Sequence, residues 1–395
     1  SSLLFADKIK FTNVPDIADV ISMSEIIHKL GIGSVCEKKG VYTLDASKIN
    51  NSDLDVEIAK RLRASVILTG PILARLGKVS FPHPGGCVIG ARPIDIFIDG
   101  YKAMGASVKV VDGLYVIEAK HGLKGVEIFL RTSSVTATEA FIMAGVLAKG
   151  ITTIKNAAME PEIIDLVEFL VKMGADITIS TSTIIIKGRK ELLKARGASW
   201  KVIPDRIEAG SFLILGALCA DNLLISNCEP KHLEAVTTDL ILAGVPIEIG
   251  KDYLHIKDNK RIPNKKFKSF NLKTHEYPGF PTDLQAPASV FLTQVSGESL
   301  VFETIFENRL GFANDLVSMG ANIRMFYAHR MLIKGAESLK GRELYGPDLR
   351  AGLAFIIAAL VAKGTSLIHN VYYIDRGYEK IEEKLKAIGV SIKRI

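Results

Sequence analysis

The residues best suited to chemistry are one thiol and a set of arginines. Cys87 lies in the stretch Phe81-Pro82-His83-Pro84-Gly85-Gly86-Cys87-Val88-Ile89-Gly90-Ala91-Arg92-Pro93-Ile94-Asp95. Two prolines and two glycines ahead of the thiol exclude helix and predict a loop. A core cysteine is flanked by apolar residues at helix or strand period. Cys87 is flanked by turn formers, so we expect solvent to reach it. A small residue in a surface turn would be the bland explanation. Arg92, five residues on and followed by Pro93-x-Asp95, argues against it, because a nearby guanidinium favours the thiolate. His83, four residues earlier, is placed to tune that thiol.

Arg92, Arg309 and Arg376 fall at or near the starts of predicted helices, as do Arg63 and Arg350. A cation at a helix N-terminus opposes the macrodipole, so solvation alone is a poor reason to put one there. Several such arginines with several helix N-termini suit phosphate and carboxylate. Asp205, Asp283 and Asp348 also fall at helix starts, close after prolines. Their ordinary role is N-capping.

These positions repeat. An amphipathic helix, a glycine break and alternating β-type residues recur around Gly31, Gly105, Gly174, Gly244, Gly320 and Gly389, at intervals of about 70 residues. Each repeat reads β, α, β, α, β, β. In one, the first helix spans 138–149, a strand 152–155, a second helix 162–173, and a hairpin 176–180 and 183–187. In the last, the helices are read at 349–363 and 377–388. The glycine falls where a helix C-cap belongs. First helices such as Leu353-Ala354-Phe355-Ile356-Ile357-Ala358-Ala359-Leu360 are apolar all round and must be buried. The fold class is therefore α/β, with helices inside and sheets outside. Three repeats per domain give two domains, 1–200 and 201–395. The final repeat offers only one strand, Val390 to Arg394, after its glycine. The first begins inside an apolar helix at Leu3-Leu4-Phe5-Ala6. Both defects lead us to expect that a segment is absent from the N-terminus.

The chain has 395 residues, 48% hydrophobic and 24% charged, which is ordinary for a packed soluble protein. The net charge of +7 suggests an anionic partner. The 43 acids are interspersed among the 50 bases, and no basic run marks a nucleic-acid arm. A small anionic substrate fits that balance. Cys36, Cys87, Cys219 and Cys228 form no CxxC, and no His-rich tract occurs, which argues against zinc. No disulfide framework is apparent, which favours a reducing compartment. The longest apolar run, Ala351 to Ala362, is too short to cross a bilayer. No signal peptide is recognised, so a cytoplasmic protein is expected. No GxGxxG or P-loop motif precedes a helix.

With these residues in view, the sequence resembles the UDP-N-acetylglucosamine 1-carboxyvinyltransferase family, the enolpyruvyl transferases of peptidoglycan synthesis. Pro84-Gly85-Gly86-Cys87-x-Ile89-Gly90-x-Arg92-Pro93-x-Asp95 is similar to its reactive loop, and Phe280-Pro281-Thr282-Asp283-x-Gln285-Ala286 to its base motif. Phe306-Glu307-Asn308-Arg309, Ile374-Asp375-Arg376-Gly377-Tyr378-Glu379, Leu62-Arg63-Ala64-Ser65, Glu160-Pro161-Glu162-Ile163 and Asp205-Arg206-Ile207-Glu208 follow the same pattern. The likeness runs from about Asn13 to the C-terminus. It implies a two-domain inverse α/β prism of six βαβαββ repeats.

The resemblance also implies roles. Phosphoenolpyruvate would give its enolpyruvyl group to the 3′-hydroxyl of UDP-N-acetylglucosamine. Cys87 would protonate the methylene carbon, and Asp283 would take the hydroxyl proton. Arg92, Arg350 and Arg376 would hold phosphate and carboxylate, with Arg309 nearby. Arg63, the turn Arg92, Pro93, Ile94, Asp95 and Ile96, the turn Thr132, Ser133, Ser134 and Val135, and Ile305 would bind the UDP-sugar. The Cys87 loop would close as a lid. No metal and no cofactor are implied; a monomer is expected, with no nucleic acid and no membrane insertion. Two departures stand out. The family's N-terminal strand and Lys-Asn pair are not in this sequence, which leaves the activity of the chain as it stands open. Thr136 stands where the family has Gly, so nucleotide contact there is expected to differ. The shikimate-pathway enolpyruvyl transferase shares fold and donor but lacks the Gly-Gly-Cys loop and the Arg-Pro-x-Asp turn. A non-catalytic UDP-sugar-binding homologue is the rival of another class.

Overall fold

A computed structural model of the chain describes residues 1–85, 90, 93–259 and 267–395. They divide into two compact units, one of residues up to Ile203 and one from Pro204 onward, with Gly90 in the second. Each unit has its own hydrophobic core, the first running from Leu3 to Ala195 and the second from Ile207 to Leu385.

The repeat is visible in the sheets. In the first unit, Glu127–Phe129 pairs in parallel with Ile151–Lys155, which pairs antiparallel with Thr183–Lys187, and that strand with Asp176–Ser180. Strand Ser199–Lys201 begins an equivalent sheet through Ile9–Thr12, Val41–Asp45 and Gly33–Lys38. The chain therefore leaves the first unit only after that strand. The third sheet joins Lys78–Pro82, Leu114–Glu118 and Ser107–Val111, with a single parallel bridge from Asp53 to Ser80 in place of a fourth strand. The second unit repeats the order with Leu272–Lys273, Glu298–Phe302, Arg330–Lys334 and Asn322–Tyr327. Leu223–Ser226, Tyr253–Ile256 and Ile247–Ile249 form a three-stranded version.

The first helices lie inside, as their composition requires. Val135–Val146, Arg206–Cys219, Gln285–Gln294 and Leu349–Val361 bury most of their side chains. Each Leu, Ile or Phe so buried stabilises the fold by about 1.5–3 kcal/mol. Small residues let these helices approach. At Gly70, in helix Thr69–Leu76, a Cβ would lie 2.1 Å from the carbonyl oxygen of Ala140. The strands alternate, so Thr183–Lys187 buries Ile184 and Ile186 and exposes Ile185 and Lys187.

Three local expectations are corrected. Leu3 to Ala6 is no helix but a single 3-10 turn, Ser2–Leu4. The amide of Ala6 donates to Leu193, and Arg75 Nη1 donates to the carbonyls of Leu3 and Phe5, so these backbone groups are not available to a helix. Residues 390–394 form no strand. A strand is a pairing rather than a propensity, and no described strand lies beside this one; Arg394 instead pairs with Asp375 and Glu382. The last helix is shorter than read, Ile381–Ala387, and follows a separate turn of helix at Tyr372–Asp375. Lys380, between them, is left-handed, which ends the helical hydrogen bonding there.

Candidate active site

Three aspartates stand at first-helix starts in the second unit, and they have different fates. Asp205 accepts from the amides of Ile207 and Glu208 at 2.8 and 3.0 Å. Asp348 accepts from those of Arg350 and Ala351 at 2.7 and 3.0 Å. Both are ordinary N-caps. Asp283 caps nothing. It sits in the 3-10 turn Thr282–Leu284 ahead of Gln285–Gln294, with its carboxylate turned to two arginines.

Arg309 Nη2 meets Asp283 Oδ1 at 2.8 Å. Arg350 meets Oδ2 with Nη2 at 2.9 Å and Nε at 3.0 Å. The arginine side chains are only 3% and 14% exposed, whereas Asp283 retains 34%. Burial works to raise the proton affinity of Asp283, but the two guanidinium groups outweigh it and hold the carboxyl well below its usual range. Burial opposes the charge on Arg350, and Asp283 more than restores it.

The elements explain the convergence. Arg350 lies in the first turn of Leu349–Val361, set by the Asp348 cap. Arg309 begins the turn Arg309–Phe312, its guanidinium over the Phe306 ring at 5.3 Å. Buried Glu303 ties these pieces together. It accepts from Thr282 Oγ1 at 3.0 Å and from the amides of Ile305 and Phe306 at 2.9 and 3.1 Å. Thr282 is the residue before Asp283, so one carboxylate joins the aspartate turn to the segment that carries Ile305 and Arg309.

Two further residues were missed at the sequence level. Tyr378 is buried, and its hydroxyl lies 3.2 Å from Arg350 Nη1 and 3.0 Å from Ser211 Oγ. Ser211 gives its own proton to the carbonyl of Ile207 at 2.7 Å. A serine hydroxyl has one proton. The direction of the chain is therefore settled: Arg350 donates to Tyr378, Tyr378 to Ser211, and Ser211 to Ile207. Tyr378 stood in a recognised motif without a role. Ser211 carried no signal, because a lone serine in an apolar helix is ordinary.

The other named residues lie as follows. Cys87 and Arg92 are outside the described residues. Arg63, at the start of the 3-10 turn Arg63–Leu68, donates to the carbonyls of Pro84 and Pro93 at 3.5 and 3.3 Å. This brings the arginine to the two ends of the cysteine stretch. Pro93 and Asp95 are exposed, Ile96 is partly buried, and Ile94 is buried in the core. Any role of Ile94 toward a ligand falls to its backbone. Thr132 is exposed and Ser133 partly buried; Ser134 caps Val135–Val146 by accepting from the amide of Ala137. Val135 packs against the core, and Thr136 lies in the first turn of that helix. Arg376 is partly buried and immediately follows the helical turn Tyr372–Asp375.

A family model for EPSP synthase (3-phosphoshikimate 1-carboxyvinyltransferase) matches residues 1–385, and the chain belongs to that family. Solved structures agree on the fold. The enolpyruvyl transferase NikO from Streptomyces tendae superposes with a TM-score of 0.88 at 23% identity, over 99% of this chain and 91% of that one. EPSP synthase from Acinetobacter baumannii gives 0.73 at 18% identity, over 100% and 94%. The fold is thus the two-domain inverse α/β prism.

Curated relatives narrow the placement. The chain is 42% identical to UDP-N-acetylglucosamine 1-carboxyvinyltransferase 1 of Caldanaerobacter subterraneus subsp. tengcongensis, over 100% of this chain and 92% of the relative. It is 41% identical to the UDP-N-acetylglucosamine 1-carboxyvinyltransferase of Desulforapulum autotrophicum, over 100% and 93%. For that of Coxiella burnetii (strain RSA 493) the identity is 38%, over 100% and 89%. Within its family the chain groups with the UDP-N-acetylglucosamine 1-carboxyvinyltransferases.

Proposed function

We propose that this chain transfers the enolpyruvyl group of phosphoenolpyruvate to the 3′-hydroxyl of UDP-N-acetylglucosamine, releasing phosphate. This is the first committed step of peptidoglycan synthesis, and so serves cell shape and division. The observation that carries the reading is the paired guanidinium site of Arg309 and Arg350 on Asp283, in a chain 42% identical over its whole length to a relative of that name. We place the activity in the cytoplasm, in a monomer; among the described residues no helix is long and apolar enough to cross a membrane.

The proposed steps balance without a cofactor. Cys87 gives a proton to the methylene carbon of phosphoenolpyruvate, and positive charge develops at the neighbouring carbon. The sugar oxygen attacks that carbon while Asp283 accepts the hydroxyl proton. Phosphate then leaves with the electron pair of its C–O bond, and the new methyl group returns a proton to the Cys87 thiolate, restoring both the double bond and the thiol. Arg92, Arg350 and Arg376, with Arg309, hold the phosphate and carboxylate, where preorganised charge is most effective. Arg63, Pro93 to Ile96, Thr132 to Val135 and Ile305 hold the UDP-sugar.

The test is phosphate release from phosphoenolpyruvate. It should require UDP-N-acetylglucosamine. Release with shikimate 3-phosphate instead would favour the rival transferase, and release with neither acceptor would favour a binding homologue. Fosfomycin should label the wild-type chain and not Cys87→Ser; labelling of the variant would exclude Cys87 as the reactive thiol.

A further inference from the structure

A base must have a free lone pair, and on Asp283 three of the roughly four lone-pair sites of the carboxylate already face arginine N–H groups. Both oxygens are taken, Oδ1 by Arg309 and Oδ2 by the Nε–Nη2 edge of Arg350. That edge is also the face with which an arginine grips a phosphate or carboxylate in two parallel bonds. One N–H of Arg350 Nη1 goes to Tyr378, whose hydroxyl is committed to Ser211. An anion that takes the Nε–Nη2 edge of Arg350 must therefore loosen Asp283.

We propose that Arg309 and Arg350 form a latch on Asp283, and that the anionic donor opens it by drawing the guanidinium hydrogen bonds to itself. The inference rests on the reading that Asp283 accepts the acceptor's proton. With the latch closed, two positive charges suppress the proton affinity of the carboxylate. With an anion on the arginines, Asp283 loses two charge-assisted partners and gains a negative neighbour, and both changes raise its basicity. The base is switched on by the presence of the donor, so the acceptor hydroxyl is not activated before there is an electrophile to attack. Among the described residues, the following charged and titratable groups bear on the latch. Arg309 and Arg350 face Asp283 directly. Tyr378 and Asp205 act on Arg350 from behind. Glu303 reaches the preceding residue, Thr282. Arg376 lies two residues before Tyr378.

Coupling of this kind is reciprocal: if the anion loosens Asp283, removing the charge of Asp283 must tighten the anion. Asp283→Asn keeps the size of the side chain and discards the charge. Calorimetry on the full chain with UDP-N-acetylglucosamine present should show phosphoenolpyruvate, and inorganic phosphate separately, binding the variant on the order of tenfold more tightly than wild type, within the range usual for such coupling. Unchanged or weaker binding overturns the latch. Turnover is scored separately: if Asp283→Asn still turns over at the wild-type rate, the base reading fails whatever the affinity shows. A second measurement needs no variant. The acid limb of kcat/KM for the donor reports the latched carboxylate, and that of kcat the unlatched one. The kcat limb should lie at higher pH; coincident limbs also overturn the proposal.

Discussion

Replacing Tyr378 by Phe deletes one oxygen from the core of the second unit and leaves the ring. The ring is 1% exposed, and Phe occupies the same space, so no cavity term arises. Two interactions are lost. Arg350 Nη1 loses its acceptor at 3.2 Å, and Ser211 loses the proton it accepts at 3.0 Å. Ser211 keeps its bond to Ile207, so the larger loss is at the guanidinium. A hydrogen bond to a charged group contributes about 1.5–3 kcal/mol, against about 1 kcal/mol for a neutral one. Taking about 2 kcal/mol at Arg350, and tenfold for each 1.4, the expected effect is about 30-fold.

On the proposed function, in which Arg350 holds the donor's anionic groups, the loss should appear in kcat/KM for phosphoenolpyruvate and hardly in the KM for UDP-N-acetylglucosamine. The assay is steady-state phosphate release, with thermal unfolding measured alongside. Ser211→Ala is the graded control. It leaves the Tyr378 hydroxyl in place without its acceptor, and should cost about 1 kcal/mol. If Tyr378→Phe retains kcat/KM within about twofold of wild type while melting normally, the oxygen does not position Arg350, and the directional chain through Ser211 has no functional consequence.

Other outcomes follow from the same geometry. Asp205→Ala should lower stability by about 1 kcal/mol in denaturant unfolding, and Asp205→Asn should restore it, because Asn caps as well as Asp. Gly70→Ala places a Cβ 2.1 Å from the carbonyl oxygen of Ala140, a backbone atom that cannot rotate away. It should destabilise the first unit by about 1–3 kcal/mol or more; an unchanged melting temperature would mean the two helices separate freely. Burial pushes the Asp239 carboxyl up to about 6. An acid whose folded pKa is raised holds its proton longer when folded, so its contribution to stability falls as pH rises from about 4 through 6. Asp239→Asn should therefore raise the melting temperature at pH 7 more than at pH 4, and an equal gain at both would contradict the burial argument. Asp283 has the opposite sign. Its depressed pKa adds stability that is present above the ordinary Asp range and lost progressively as pH falls below it.

Local rules made much of the fold legible. The hairpin 176–180 and 183–187 was read to the residue because β-branched alternation on both sides of a short turn has few other solutions. The burial of Leu349–Val361 followed from its composition, since a helix apolar on every face has no stable exposed form. Where propensity needed a partner, the reading failed. Val390 to Arg394 has strand character and no paired strand, and Leu3 to Ala6 is apolar yet spends its backbone bonds on Leu193 and Arg75.

The site divides the same way. Asp205, Asp283 and Asp348 look alike in sequence, each an aspartate at a helix start near a proline. Capping is a local event between a side chain and the next two or three amides, and it explains two of them. Only the packing of three separate segments decides that Asp283 instead faces Arg309 and Arg350, from positions 26 and 67 residues away. The sequence by itself determined the repeat, the buried helices and the arginines and aspartates at the helix starts. Tertiary structure decided which carboxylate meets the arginines, that Tyr378 and Ser211 stand behind one of them, and that a single carboxylate is held by both guanidinium groups. Those are through-space charge and hydrogen-bond relations between distant segments, and no local propensity encodes them.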